Sequence, residues 1–241
     1  MAYFNDKFKR ARLDQSPYLF HFINGLDNDP CATLTKILGE KKLISDRGYI
    51  CFSASPITAI RKFFEVKVNS TGKPMYLPWG LGFSRDILVR DFGVRNVIYI
   101  GETESVPDSL EWRTDKLDVE LYDFEYLREW RFKGKEFDFS TFPKEHIIVI
   151  APDLKSLNNI VVGFDMEFTP YIDYYNGTIE EDWSESWKRE WKGISVDKLG
   201  EDVLDDYAVS SKVIEQILDE DMLDKLFIDS PLSILTSNNM K

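Results

Sequence analysis

Cysteine and histidine are scarce. Cys31, Cys51, His21 and His146 are the full set in 241 residues. Two cysteines are too few for a disulfide framework or a cysteine zinc site, and two histidines weaken a zinc reading further. No apolar run approaches the ~18–20 residues of a membrane helix. Met1 to Arg12 is polar and lacks the apolar stretch of a secretory signal. These absences predict a protein of the reducing cytoplasm with no membrane partner. The sequence also lacks GxGxxG, GxxxxGK followed by Ser or Thr, HExxH and GxSxG, which removes the commonest nucleotide, metalloprotease and hydrolase signatures.

What is present suits a globular chain. Hydrophobic residues make up 43% and aromatics 14%, enough for a sizeable core and too many for a disordered chain. The length fits one large domain, or one domain with an appendage, at ~150 residues per domain. The net charge is −12, which argues against nucleic-acid binding through a broad basic surface. All of the imbalance lies at one end: residues 165–241 hold 19 acidic and 7 basic side chains, while residues 1–164 hold 23 of each. This shift divides the chain at 164/165.

Apolar runs predict strands at Tyr18–Ile23, Tyr49–Ser53, Val94–Gly101, Glu129–Phe132 and Glu145–Ala151. Helical spacing predicts helices at Thr33–Lys42, after Pro56, from Ser84 to Phe92, and from Pro152 through Leu157. Asp115–Leu127 is charged and reads as helical. Met75–Phe83 is too rich in Pro and Gly for a helix and reads as a loop. In the acidic part, Trp183, Trp187 and Trp191 recur every four residues and predict one helical face, and Ser211–Phe227 carries a second helical stripe. The fold class is therefore α+β: short strands and helices over residues 1–164, with an acidic helical extension over 165–241 packed on it.

Three features carry polar chemistry in apolar settings. His21 interrupts YLFHFI, and a ring there needs partners for its nitrogens. Cys51-Phe52-Ser53-Ala54-Ser55-Pro56 ends a strand in two hydroxyls, and Ser55 fits a helix cap. Glu129 and Arg131 share one face of a strand, with Trp130 on the other. The plainer readings are a satisfied core histidine, a cap and a surface ion pair. A nucleophilic Cys51–His21 pair is formally possible, although a buried cysteine usually acts as a small hydrophobe.

The order of these features, with the stretch Pro78-Trp79-Gly80-Leu81-Gly82-Phe83-Ser84 and Tyr126–Phe132 (YLREWRF), resembles the AbiGi-type abortive phage-resistance proteins. More remotely it is similar to DarT-like and other ADP-ribosyltransferase-fold domains. The resemblance covers roughly residues 15–150. It implies a small split sheet holding NAD in a cleft, with a first-strand histidine on the ribose, a hydroxyl or aromatic group at the nicotinamide pocket and a late-strand glutamate completing the site. Matched residue by residue, these are His21; Ser53, Ser55 or Tyr76; and Glu129. Phe22, Tyr76 or Trp79 would stack on nicotinamide, and Arg131 would hold Glu129 ionised or contact a phosphate. His21 and Glu129 are then expected to line one cleft.

Three functions follow as expectations. One is an NAD-dependent ADP-ribosyltransferase or NAD hydrolase in antiviral defence. Another is a non-catalytic or antitoxin-like partner that binds protein through its acidic C-terminal helices. The third is an acidic nucleic-acid mimic. If DNA is the acceptor of ADP-ribose, the concentrated cations are Lys7, Lys9, Arg10 and Arg12.

Overall fold

The computed structural model describes residues 15–67, 72–117, 125–173 and 178–199. The elements run β1 (Tyr18–Asn24), α1 (Pro30–Glu40), β2 (Lys42–Ile44), β3 (Tyr49–Ser53), α2 (Ile57–Phe63), β4 (Tyr76–Ser84), α3 (Arg85–Asp91), β5 (Arg95–Asn96), β6 (Ile98–Ile100), α4 (Asp108–Glu111) and β7 (Thr114–Lys116). They continue with β8 (Glu129–Lys133), β9 (Glu136–Asp138), β10 (Ile147–Ala151), α5 (Leu154–Val161), β11 (Val162–Asp173), β12 (Thr178–Arg189) and β13 (Lys192–Ser195). Seven strands form the main sheet in the order β13-β10-β4-β1-β3-β8-β5, so the molecule is α+β with a sheet core and short helices.

Local chemistry explains the elements nearest the site. β10 reads IIVIA, and all its residues are buried, as expected of a strand covered on both faces. Asp29 caps α1 by accepting from the Ala32 N–H at 3.1 Å, and Pro30 supplies the fixed φ of a first helical residue. Phe83 sits at the middle of the core. The rings of Phe52, Phe137, Phe139 and Phe142 lie 5.3–6.0 Å from it, edge-on. Such pairs add about 0.5–1.5 kcal/mol each beyond simple burial.

Residues 76–84 form a strand in the centre of the sheet, not a loop. The glycines are the reason. Gly80 lies opposite Phe22 and Gly82 opposite Phe20 across β4 and β1. A Cβ at Gly82 would stand 2.8 Å from the Phe20 ring, and one at Gly80 would stand 2.3 Å from the His21 carbonyl oxygen. The missing side chains therefore make room for two phenyl rings and close strand contact. Pro78 falls where the register slips between Phe22 and Asn24, a place where a lost ladder donor is tolerated.

Other expectations change too. Residues 114–116 are a strand and Glu125–Leu127 a short 3-10 turn, and residues 118–124 of the expected helix lie outside the described residues. Residues 94–101 divide into two short strands. The described part of the acidic extension is extended: β11 and β12 pair over their whole length. A four-residue spacing is a multiple of two as well as close to the helical period, so Trp183 and Trp187 could not separate strand from helix. Trp191 follows β12, is buried, and has the Lys144 ammonium 4.9 Å from its ring centre. β13 then pairs in parallel with β10, and the charge boundary at 164/165 falls inside β11. Lys7–Arg12 and the stripe at 211–227 lie outside the described residues. No described helix is long and apolar enough to cross a membrane.

Candidate active site at the seam of the sheet

The main sheet has one seam. β1 is paired along its length with β4, and β3 with β8, but β1 and β3 share a single registered pair, Phe20 opposite Ser53. Beyond that pair the His21 side chain replaces the ladder: Nδ1 lies 2.9 Å from the Cys51 carbonyl oxygen. A carbonyl only accepts, so Nδ1 carries the hydrogen. Burial holds the His21 pKa below its ordinary value, against the opposing effect of this bond. The ring is therefore a neutral brace across the seam.

Register decides what faces what. Phe20, Ser53 and Glu129 stand in one row across β1, β3 and β8. Alternation puts Tyr49, Cys51 and Arg131 on that same face and His21, Phe52 and Trp130 on the other. The His21 and Phe52 rings, 5.9 Å apart, agree with this. Alternation thus directs His21 and Glu129 to opposite faces of the sheet, where the expectation was one cleft. Both meet Cys51, but His21 meets its carbonyl and Glu129 interacts with its thiol.

Glu129 is the first residue of β8, and the turn before it is tightly built. Arg128 has a positive φ of 47°, unfavourable for a residue with a side chain. Ser53 Oγ donates to the Leu127 carbonyl at 2.6 Å, and Ser55 Oγ donates to the Tyr126 carbonyl. Ser55 therefore does not cap α2, whose N-terminus has no side-chain cap. Both hydroxyls fasten the turn that launches Glu129. Ser53 is committed to that structural bond and is not available to line a nicotinamide pocket.

Arg131 is almost fully enclosed. Its Nε donates to Glu129 Oε1 at 2.7 Å and Nη2 to Asp115 Oδ2 at 2.5 Å. Nη1 reaches the carbonyls of Trp112 and Thr114, and the guanidinium lies 4.2 Å from the Tyr49 ring centre. Burial opposes its charge, but Glu129, Tyr49 and Asp115 outweigh it and raise the pKa. With its fork committed in this way, Arg131 holds Glu129 and does not reach for a phosphate.

Tyr76, at the start of β4, stands near the same carboxylate. Burial, followed by Cys51 and Glu129, raises its phenol pKa, so it stays protonated. Burial and then Glu129 push the Cys51 thiol up to about 12. The thiolate needed for a nucleophilic cysteine is absent near neutral pH. Phe22 is a core residue, packed against Phe63, Phe64 and Tyr76, so it supports Tyr76 instead of offering an open stacking face. Of the candidates for the second position, Ser53 lies opposite Glu129 but is bonded to the Leu127 carbonyl, and Tyr76 is the one whose phenol responds to the Glu129 charge.

Two neighbours escaped the sequence reading. Tyr99 of β6 feels the charges of Glu129 and Asp115, after burial, as an upward shift. Arg47 is exposed, and its charge opposes the upward shifts of both Cys51 and Tyr76. Nothing in the local sequence around Arg47 marks it, because it reaches the site only through the β2–β3 turn. Comparison of the chain with protein-family models, curated proteins and solved structures found no match in any of the three.

Proposed function

We propose that the chain cleaves the nicotinamide–ribose bond of NAD at Glu129, as an ADP-ribosyltransferase or NAD hydrolase of the kind its AbiGi-type and DarT-like resemblance implies, in antiviral defence. The observation that carries this reading is a carboxylate at the start of β8, one strand from the seam, held on one oxygen by a buried arginine and acting on the Tyr76 phenol. In the reaction the C–N bond to nicotinamide breaks, and its electron pair leaves with the nicotinamide nitrogen. Positive charge develops on the ribose, as in glycoside hydrolysis. Glu129 stabilises that charge, and an acceptor oxygen or nitrogen attacks C1′ and releases its proton to solvent. Tyr76 supplies an aromatic face and a hydroxyl for nicotinamide, and the exposed Arg47 supplies a cation for the pyrophosphate. His21 braces the seam and is not assigned to the ribose.

A second reading, the non-catalytic protein-binding partner, is favoured by one observation. The Glu129 carboxylate is largely buried and already paired with Arg131, which a purely structural role also explains. Nicotinamide release by the purified protein separates the two. The catalytic reading expects release by wild type and a fall of roughly 10²–10³ in rate for Glu129→Gln. It also expects Arg47→Ala to raise KM for NAD with little change in kcat. No release, together with no rise in melting temperature on adding NAD, would leave the partner reading.

A further inference from the structure

β11 and β12 form a ribbon of two twelve-residue strands, in register from Val162 opposite Arg189 to Asp173 opposite Thr178. The strands pack on each other, and the described element the ribbon meets next is α5, from which β11 runs on directly. Among the described residues no third strand pairs with the ribbon; a two-stranded ribbon is marginal by itself, and each strand then has an outer edge of backbone donors and acceptors.

The two outer edges differ. β11 contains Pro170, opposite Glu181. A proline inside a paired strand is tolerated where its nitrogen faces outward, and there it interrupts the edge. β12 has neither proline nor glycine from Thr178 to Arg189. Its charges are also sorted along the strand: Glu180, Glu181 and Asp182 come early, and Lys188 and Arg189 close it. The β11 positions directly opposite Glu181, Asp182, Lys188 and Arg189 are Pro170, Thr169, Gly163 and Val162, none of them charged.

We propose that β12 pairs antiparallel with β12 of a second copy of this chain, giving a two-fold dimer with a four-stranded ribbon across the axis. A two-fold axis perpendicular to the sheet keeps the faces of both copies in common, so facing residues must both be odd-numbered or both even-numbered. Centring the axis on Glu185 meets this condition. It sets Glu181 opposite Arg189, Asp182 opposite Lys188 and Trp183 opposite Trp187, each twice. Opposite charges and aromatic pairs are the stabilising cross-strand combinations. Centring on Ser184 keeps only Glu180 opposite Lys188, and centring on Ser186 sets no opposite charges against each other. The cost of the favoured register is Glu185 meeting its own copy on the axis. The overlap, about 30 Å long, is short for an obligate interface, so the dimer is concentration-dependent. This proposal does not depend on the reading of the Glu129 site.

Sedimentation velocity over a concentration series tests it. Wild type should shift from monomer to dimer, and rising salt should weaken the dimer. K188E/R189E makes the four paired charges acidic and E181K/D182K makes them basic, and each variant should weaken self-association at least about tenfold. Their equimolar mixture should form a heterodimer, because each strand then faces opposite charge. E185Q in the wild-type background should tighten the dimer about two- to fivefold. Thermal melts of the variants check their folding. A wild type that stays monomeric to its solubility limit overturns the proposal. So does a mixture of well-folded variants that fails to associate. If either paired variant is unfolded, a wild-type dimer insensitive to both salt and E185Q overturns it instead.

Discussion

Arg131 touches two carboxylates of very different exposure, and this makes a sharp energetic contrast. The Arg131 side chain is 4% exposed, Glu129 12% and Asp115 43%. Replacing Glu129 by Ala leaves a buried guanidinium facing a half-exposed carboxylate and two carbonyls, and removes an acceptor from Cys51. Breaking a buried pair in this way costs about 3–5 kcal/mol, because the remaining charge is left poorly compensated. Replacing Asp115 by Ala removes a partner that water already screens, which costs about 0.2–1 kcal/mol. Glu129→Gln keeps an oxygen that can accept from Nε and loses only the charge assistance, for about 1–2 kcal/mol. Urea unfolding followed by circular dichroism measures all three. With an m-value of ~3 kcal/mol/M, Glu129→Ala lowers the midpoint by roughly 1–1.7 M at unchanged slope. Equal losses for Glu129→Ala and Asp115→Ala, or a loss below ~1 kcal/mol for Glu129→Ala, would refute the assignment of Glu129 as the buried partner. The Gln variant is the proper probe of catalysis because it retains the fold.

Two glycine substitutions should move stability in opposite directions. Gly80→Ala places a methyl 2.3 Å from the His21 carbonyl oxygen; backbone cannot yield cheaply, so thermal unfolding should show a loss of at least ~2 kcal/mol. Gly39→Ala, near the end of α1 with nothing within 4 Å of the new methyl, should gain about 0.5–1 kcal/mol; a destabilised protein would contradict this. The depressed pKa of His21 makes stability pH-dependent. Below the unfolded value of ~6.5 the unfolded chain takes a proton the native ring resists, so stability falls as pH drops from there towards the native pKa. His21→Asn keeps a donor near the Nδ1 position and removes the titration; identical pH profiles for both proteins between pH 7 and 5.5 would exclude His21 as the source. Cys51 works in the other direction: its native thiol is raised to about 12, so stability falls as pH rises through the unfolded thiol value of ~8.5 towards that limit. Cys51→Ser should flatten this alkaline decline, measured by urea midpoints from pH 8 to 10.

The sequence was sufficient wherever local periodicity and burial agree. YLFHFI, YICFS and EHIIVIA carry runs long enough and apolar enough to be strands in almost any context, and Asp29-Pro30 announces a helix start. The pairing of Glu129 with Arg131 was also legible, because a strand puts i and i+2 on one face whatever its neighbours are. Tertiary structure decided the rest. PWGLGF became a central strand because Phe20 and Phe22, more than fifty residues away, fill the space its glycines leave. Trp183 and Trp187 lie in a strand because β11 pairs with their segment, and a four-residue spacing suits either geometry. Ser53 and Ser55 found their partners in the turn before β8, where no local pattern pointed. Above all, His21 and Glu129 were separated by a single register: with Phe20 opposite Ser53 and Ser53 opposite Glu129, strand alternation puts His21 on the other face. A chain read one residue at a time gives each strand's two faces, but only pairing between strands fixes which faces coincide.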